Sequence, residues 1–279
     1  MIQLLRIELY KIFKRPRTYI SFGIITAIVL VIQLAMLSDG KSFLAFVMSG
    51  VNEQFDIQGN VLNGYLVTYI ILQSLLIHIP LLVALVAGDA LAGEAAGGTL
   101  RLLLTKPISR AKLVLMKFTS SFIYTVLLII WLAIVGLFGS LLLFGPGDMI
   151  NLKSDAFVML LQHDVMWRYM AAFVFATLAM TTIASLALLL SALADNSIGP
   201  IVSTMGIVVV ITILSNLELP LFDKIKPYLF TTHMLGWKGF FYNPVPKEAI
   251  LRSVGVLCAY ILGFVGLTIY IFNRKDIQT

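Results

Sequence analysis

Residues 118–147 read FTSSFIYTVLLIIWLAIVGLFGSLLLFGPG, a run of 30 positions between Lys117 and Asp148 without an acidic or basic side chain. A helix rises about 1.5 Å per residue, so about 20 apolar residues cross a hydrocarbon core roughly 30 Å thick. Positions 126–143 are apolar almost throughout, which excludes the alternating polarity of a transmembrane β-barrel strand. The run therefore predicts a membrane-spanning α-helix.

Similar charge-free runs recur along the whole chain. Of its 279 residues, 59% are hydrophobic and 12% are charged, and the mean hydropathy is +0.97. Soluble domains carry about 25% charged residues, so a soluble globular fold is excluded. We predict an all-α integral membrane protein with one domain over residues 1–279 and six transmembrane helices, at 17–38, 66–92, 112–144, 166–194, 197–217 and 250–272.

The basic residues are distributed unequally between the two sides of the membrane. With six spans both chain ends lie on one side, and that side holds 12 of the 20 lysines and arginines against five of the 14 acids. Because Lys and Arg are enriched in short cytoplasmic loops, we expect cytoplasmic N- and C-termini. The net charge of +6 is then a topology signal, and no nucleic-acid partner is needed to explain it.

Three segments outside the spans have distinct characters. Residues 1–15 predict an amphipathic helix in the membrane interface, with Leu5 and Leu9 near one face; a simple basic flank that fixes topology is the alternative. Residues 145–165 open with Gly-Pro-Gly and predict a short interfacial helix. Residues 218–249 combine aromatic residues with four prolines, and we expect a re-entrant or interfacial segment on the outer side.

Signals for catalysis are absent from the sequence. The tripeptide Gly40-Lys41-Ser42 lacks the first glycine of a phosphate-binding loop, the histidines do not occur at zinc-binding spacing, and Cys258 is the single cysteine. We therefore expect neither an enzyme nor a cofactor or metal in this chain. Gln73 and His78 are candidates for a substrate path, because polar residues within a span are functional candidates. The structural alternative for His78 is a bond to a backbone carbonyl freed by a kink at Pro80.

The segment between spans two and three, residues 94–110, reads EAAGGTLRLLLTKPISR. We expect the second span to break at the glycine pair, Thr99 to cap a short helix over 100–105, and Pro107 to end that helix. Leucines on one side of such a helix have the form of a knob for a partner's groove. A tight amphipathic turn that lies on lipid is an equal alternative.

This segment resembles the signature of ABC-2 type transporter permeases. The matching positions are Gly93-Glu94, Gly97-Gly98-Thr99-Leu100, Leu103-Leu104, Pro107 and Arg110. The six-span layout, the N-terminal stretch Leu5-x-x-Glu8-Leu9-x-Lys11 and the basic end at 273–275 are also similar to that family, so the likeness covers essentially the whole chain. The length is similar to that of short bacterial permeases, including the permease of the nitrous-oxide reductase maturation system.

The resemblance implies a type V exporter-like fold in the bacterial cytoplasmic (inner) membrane, with residues 1–15 as a connecting helix and 94–110 as the coupling segment. It implies a separate ABC ATPase subunit that carries ATP and Mg, and a second permease copy as homodimer or heterodimer, among membrane lipids. Ion pairs from Glu94 to Arg101 or Arg110 are expected to fix the coupling segment. The resemblance implies ATPase-coupling roles for Glu94, Gly98, Thr99, Leu100, Arg101, Leu103, Leu104, Pro107 and Arg110.

Two other functions stay open beside that of an exporter permease. A non-ATP secondary carrier would need buried ion-site residues, for which the spans offer only weak candidates. A membrane-integral scaffold or sensor would dock an ATPase through the same segment without moving a substrate. The sequence does not identify a substrate, but the near absence of charge within the spans favours an amphipathic or lipid-like passenger.

Overall fold

The computed structural model describes residues 2–47, 62–99, 108–153, 156–217 and 223–275. Apolar runs of helical length dominate these ranges, and helices follow them. The α-helices are α1 Ile2–Lys14, α2 Pro16–Val47, α3 Gly64–Ser74, α4 His78–Ala87, α5 Asp89–Ala96, α6 Arg110–Leu132, α7 Gly139–Phe144, α8 Gln162–Leu193, α9 Ile198–Asn216, α10 Phe230–Met234 and α11 Lys247–Arg274.

Five stretches of helix in the described residues are long and apolar enough to cross a membrane. They are Pro16–Gly40 within α2, Arg110–Phe144 from α6 to α7, and the whole of α8, α9 and α11. Each overlaps one of the predicted spans at 17–38, 112–144, 166–194, 197–217 and 250–272. The protein is therefore a mainly helical, multi-pass membrane protein.

The second predicted span is not one continuous helix, as the sequence had suggested for 66–92. Helices α3 and α4 form a bent pair with an angle of 57° between them, and the chain turns again at Gly88 before α5. Pro80 lacks the N–H that would bond to the carbonyl of Leu76, so the helix cannot run through this point unbroken. The pair counts as a sixth span only if both halves are taken together.

The helix α8 occupies the centre of the bundle. It packs against α4, α5, α6, α9 and α11. In its most apolar stretch 72% of the residues are buried, whereas in the corresponding stretches of α9 and α11 17% are buried. The sequence of α8 suits this position, because its small residues, such as Ala179, Ala184 and Ala187, let neighbouring helices approach closely. The exposed apolar sides of α9 and α11 are consistent with contact to lipid or to another membrane chain.

A wide π-helical turn, Ala133–Phe138, separates α6 from α7. Such a turn leaves carbonyls without their regular helical partners, and neighbouring helices supply donors here. Gln33 of α2 donates to the carbonyl of Val135 and to the hydroxyl of Ser140, both at 3.0 Å, and Thr68 of α3 donates to Gly136 at 3.3 Å. These bonds tie α2 and α3 to the middle of the third span.

A β-hairpin stands where the sequence predicted a short interfacial helix within 145–165. Strands β1 (Met149–Lys153) and β2 (Ala156–Leu160) pair antiparallel, with Met149 opposite Leu160. Gly145 has a φ of 72° and ends α7, and the side chain of Asn63 donates to the carbonyl of Asp148 at 2.7 Å. The prediction of a short helix within 145–165 is therefore wrong, and this hairpin is a local exception in a mainly helical protein.

The segment predicted to lie on the outer side, which we call the outer segment, is described from 223 onward and folds as short helical turns against α8 and α11. It contains 3₁₀ turns at Lys226–Tyr228 and Leu235–Phe241 on either side of α10. Arg168 of α8 donates to the carbonyls of Phe240 and Tyr242 at 2.7 and 2.8 Å and so fixes the end of this segment. Residues 218–222 lie outside the described residues, and re-entry of 218–249 into the membrane stays a prediction.

Replacement of Gln33 by Leu tests the bond network at the π-helical turn. The change leaves the half-buried carbonyl of Val135 and the buried hydroxyl of Ser140 without this donor, so we expect a loss of about 1–3 kcal/mol in the free energy of unfolding. Denaturant unfolding in detergent measures this loss. Ser38→Ala is the control on the same helix, because the Ser38 hydroxyl is exposed and, among the described residues, bonds only to the nearby Ala35 and Asp39. Equal stability of the two variants would contradict the assignment.

Candidate functional site: an ion-pair cluster at one end of the bundle

One end of the bundle brings together α1, α5, the start of α6 and the ends of α8 and α11. The break at Gly88 starts α5 as a new helix, whose first N–H groups lack helical partners. The hydroxyl of Ser191 in α8 accepts from the N–H groups of Leu91 and Ala92 at 3.0 and 2.9 Å. The start of α5 is therefore fixed to the end of the central helix.

Four charged side chains meet between α1, α5 and α6. Lys11 of α1 lies 2.9 Å from Glu8 of the same helix and 2.8 Å from Glu94 of α5. Lys117 of α6 lies 2.9 Å from each of these two carboxylates. Each lysine thus contacts both acids and each acid contacts both lysines. We call these four residues the ion-pair cluster.

Three members of the ion-pair cluster are almost completely buried. Lys117 is 1% exposed, and Glu8 and Glu94 are each 4% exposed. A buried charge costs several kcal/mol unless it is paired and hydrogen-bonded, so the charges hold one another in place. The cluster has no net charge, and it fastens three separate helices at one point.

A second group of charges lies beside the cluster. Asp89, at the start of α5, pairs with Arg15 and with Arg17, whose Nη1 lies 3.0 Å from Oδ1 of the carboxylate. Asp89 is 4% exposed, whereas the two arginines are partly exposed. A negative charge in the first turn also suits the partial positive charge of a helix N-terminus. Together these pairs tie the junction of α1 and α2 to α5.

A small cavity of about 30 Å³ lies between the two groups of charges. Glu94 lines it, and the Oε2 atom of Glu94 is buried without a hydrogen-bond partner in the described part of the chain. This space is large enough to hold at least one water molecule, which needs about 10–15 Å³ on the same measure. The remaining lining is Glu8, Lys11, Ile12, Arg15, Arg17, Thr18, Leu85, Val86, Asp89, Ala90, Lys117 and Ser120.

The cluster shifts the pKa values of its two members on α1. Burial raises the pKa of Glu8, but the charges and hydrogen bonds of Lys117 and Lys11 outweigh burial and hold it below its ordinary value of 4.5. Burial lowers the pKa of Lys11, but the bonds to Glu94 and Glu8 raise it above its ordinary value of 10.5. Both groups therefore stay charged over a wide range of pH.

The structure describes four of the nine residues to which the sequence gave coupling roles. Glu94 lies in the ion-pair cluster, and Gly98 ends α5 with a φ of 68°, so the break at the glycine pair is confirmed. Thr99 donates from its hydroxyl to the carbonyl of Glu94 at 3.3 Å. Arg110 begins α6. The other five, Leu100, Arg101, Leu103, Leu104 and Pro107, lie outside the described residues.

The expected ion pair between Glu94 and Arg110 is wrong. Arg110 instead donates to the carbonyls at the end of α11, those of Phe272, Asn273 and Lys275, at 3.1, 3.2 and 2.8 Å. The last carbonyls of a helix lack helical partners and carry partial negative charge, so a nearby guanidinium satisfies them. The carboxylate of Glu94 is already paired with two lysines. The pair with Arg101 involves a residue outside the described ranges.

The two candidates for a substrate path, Gln73 and His78, lie on either side of the bend between α3 and α4. The Nδ1 atom of His78 lies 3.1 Å from the carbonyl of Ser74, and the ring is exposed. The ring thus contacts a backbone carbonyl, but not that of Leu76, which Pro80 leaves without its helical donor. Gln73 is half-buried. A role of either residue in a substrate path stays a prediction.

An apolar cavity of about 40 Å³ lies at the same bend. Gln73 and His78 are not among the side chains that line it. The lining is contributed by α3, α4, α6, α8 and the outer segment: Leu72, Leu75, Leu76, Ile79, Ile129, Leu132, Ala172, Phe173, Ala176, Met180, Met234 and Trp237.

Sequence reasoning missed most of the ion-pair cluster, although two signals were present. Lys117 falls inside the predicted span 112–144, and a charge within a span needs a partner. Glu8 is the single acid among five basic residues in the first 17 positions and stands three residues before Lys11, which is helical pairing distance. The partner of Lys117 on another helix could not be read from either signal.

A comparison with protein families agrees with this architecture. The model of the ABC-2 family transporter protein matches residues 2–277. The chain belongs to the ABC-2 transporter family. It is thus an ABC transporter permease, the type of subunit that generally pairs with an ABC ATPase. A search of curated proteins finds no match to the permease.

Replacement of Lys117 by Met tests whether the ion-pair cluster holds the permease together. The change leaves Glu8 and Glu94 buried with one lysine between them, so we expect a loss of about 3–5 kcal/mol in the free energy of unfolding. Lys226→Met is the matched control, because Lys226 pairs with Asp223, which is 63% exposed, and such pairs contribute about 0–1 kcal/mol. Denaturant unfolding in detergent compares the two, and equal losses would refute the buried cluster.

The pH dependence of stability follows from the pKa of Glu8. Because the folded pKa is lowered, the stabilisation is present above the ordinary value of 4.5 and is lost as the pH falls through the lower folded value. For Lys11 the pKa is raised, so its contribution is present below 10.5 and is lost as the pH rises through the higher folded value. We expect Glu8→Gln to remove part of the acid decline in melting temperature. The variant should also weaken the alkaline limb, because Glu8 is one of the two carboxylates that raise the pKa of Lys11, and Glu94 alone then remains. An unchanged acid limb in this variant would contradict the role of Glu8.

Proposed function

We propose that the permease is the transmembrane subunit of an ATP-driven exporter, with ATP and Mg bound on a separate ABC ATPase subunit. The observation that carries the proposal is the ion-pair cluster, which joins α1, α5 and α6 at the end of the bundle from which residues 94–110 extend. A subunit that receives mechanical work needs a rigid connection at the point where the work enters. Buried paired charges provide that connection, because separating them leaves an uncompensated charge.

The two described ends of the coupling segment are each fixed to the bundle. Glu94, at its start, is paired with two lysines, and Arg110, at its end, is bonded to the end of α11. A movement of the segment therefore pulls on α5 and α6 together. Through Lys11 and Glu8 the same movement reaches α1. We infer that closure of the ATPase dimer is transmitted to the membrane helices by this route.

The second span, which is broken into short helices, is the part of the permease that moves when the coupling segment moves. The bend at 75–77 and the interruption at Gly88 divide it into three short helices, and a break in a span is a place where helix axes can change direction. An added Cβ at Gly88 would lie 3.1 Å from Ile201 of α9, so the second break lies against the fifth span. A path that opens between these helices, in a pair of permeases, would need only small changes at the two breaks.

The apolar cavity at the bend between α3 and α4 indicates the class of passenger. All of its lining side chains are aliphatic, aromatic or methionine. Desolvation of a charged solute in such surroundings would be unfavourable, whereas an acyl chain or an aromatic group would be accepted. We therefore propose an amphipathic or lipid-like passenger. Gln73 and His78 at the bend would contact its polar part.

The decisive experiment is co-purification of the tagged permease with ATPase subunits encoded beside it, after mild detergent extraction. We expect an ABC ATPase to be recovered and Leu103→Asp to abolish its recovery, because a charge on the coupling helix disrupts an apolar contact. Leu161→Asp is the matched control: Leu161 is 53% exposed and lies at the opposite end of α8. We expect this variant to retain the ATPase.

Three results would count against the proposal. Recovery of the permease without any ATPase would favour a carrier or a scaffold. Retention of a fully active ATPase by Leu103→Asp would remove the docking role of the coupling segment. An ATPase that is recovered but whose rate does not respond to lipid-like compounds would favour a scaffold or sensor over an exporter.

A further inference from the structure

Helix α1 presents a surface that the rest of the described chain does not cover. Its apolar positions Leu5, Leu9 and Ile12 are half-buried toward the bundle, and Ile12 packs against the hydrophobic core. The apolar face that the sequence assigned to the membrane interface therefore serves to dock α1 on the protein. The opposite side, which spans about 100° of the helix circumference at 3.6 residues per turn, is exposed. We call it the open face; its members are Gln3, Arg6, Ile7, Tyr10 and Lys14.

The open face carries two cations without acidic partners. Lys11, Arg15 and Arg17 are each paired with buried carboxylates, whereas Arg6 and Lys14 form no ion pair with any acid in the described ranges. The two free charges are separated by two turns of helix on one surface. They therefore form a basic stripe that no acid in the described part of the chain neutralises.

Apolar groups lie between these two cations. Ile7 is 50% exposed and Tyr10 is 63% exposed, and the Nζ atom of Lys14 lies 5.6 Å from the centre of the Tyr10 ring. Aromatic rings with a polar group and long basic side chains are enriched at the level of lipid headgroups, where one end of the side chain is wet and the other is not. A purely solvent-exposed helix face would not require this combination.

The position of α1 also fits the boundary between the lipid headgroups and the hydrocarbon. Only Arg15 separates α1 from Pro16, the first residue of the first span, and the hydroxyl of Thr18 donates to the carbonyl of Ile12, which fixes the angle between the two helices. Tyr19 and Ile20, the first large side chains of that span, are 62% and 52% exposed. The open face is thus held beside the level at which the first span enters the hydrocarbon.

We propose that the open face binds the phosphate groups of anionic phospholipids, with Arg6 and Lys14 as the charged contacts and Ile7 and Tyr10 against the upper part of the acyl chains. Charge complementarity selects this occupant. Each basic residue at a membrane surface strengthens binding to anionic lipid by about fivefold at moderate salt. The proposal concerns α1 alone and does not depend on the direction of transport or on the passenger.

The test measures lipid preference of the full-length permease in neutral detergent. The probes are fluorescent phosphatidylglycerol and phosphatidylcholine with identical acyl chains, and the readout is the ratio of their dissociation constants. We expect the wild type to prefer phosphatidylglycerol and the double variant Arg6→Gln, Lys14→Gln to lose that preference, by about fivefold for each charge removed. The matched control, Lys224→Gln with Lys247→Gln, removes two exposed charges at the other end of the bundle and should keep the preference.

Several other results would contradict binding of anionic lipid by the open face. An unchanged preference in the Arg6 and Lys14 variant overturns the proposal, as does an equal loss in the control. Loss of ATPase recovery without a change in lipid preference assigns the open face to a protein partner instead. If the double variant does not fold, the wild type still gives an answer: the preference must weaken as salt is raised from 0.05 to about 0.5 M, because salt screens exposed charges, and a salt-independent preference contradicts the proposal.

Discussion

The charge of Lys117 is the constraint on which the functional end of this protein depends. A lysine that is 1% exposed is tolerated only if carboxylates surround it, and Glu8 and Glu94 come from two different helices to do so. Their meeting fixes the N-terminal helix against the third span and sets the direction in which α5 leaves the bundle. Lys11 then completes the ring, because two carboxylates around one lysine would leave a net negative charge in a buried position. The coupling role that we propose depends on this set of four mutually paired charges.

A second constraint acts throughout the membrane-spanning part: backbone groups that leave regular helices need partners within the protein. The π-helical turn is satisfied by Gln33 and Thr68, the start of α5 by Ser191, and the end of α11 by Arg110. Each of these side chains comes from a different helix than the carbonyl or N–H group that it satisfies. Irregular backbone and interhelical contact are therefore linked, since the departures from regular helix are the points at which the helices are joined. At the bend within the second span, the carbonyl of Ser74 likewise contacts a side chain, that of His78.

Five of the spans and the glycine break were accessible to sequence reasoning because they depend on quantities that a single chain segment contains. Hydrocarbon thickness sets the length of a charge-free run, and a pair of glycines ends a helix whatever lies nearby. Two of the errors share one origin: the hairpin after Gly145 and the partner of Arg110 depend on contacts between segments far apart in sequence. The bend in the second span has a local cause in Pro80, which the sequence analysis considered only as a kink. Local periodicity favoured a helix for 156–160. Asn63 anchors the residues that precede this stretch, and the stretch forms a strand instead.

Sequence alone determined that the chain is a multi-pass membrane protein, that its described N-terminal helix is amphipathic, and that residues 94–110 resemble the ABC-2 signature. These properties follow from hydropathy, helical period and residue identity, which are local. Only the tertiary structure decided which side of α1 is buried and which charges are paired. The reason is energetic: an isolated sequence position cannot show whether an apolar stripe packs on lipid or on protein, since both environments exclude water equally. The buried carboxylate of Glu8 settles the question, because it requires lysine partners that lipid does not provide.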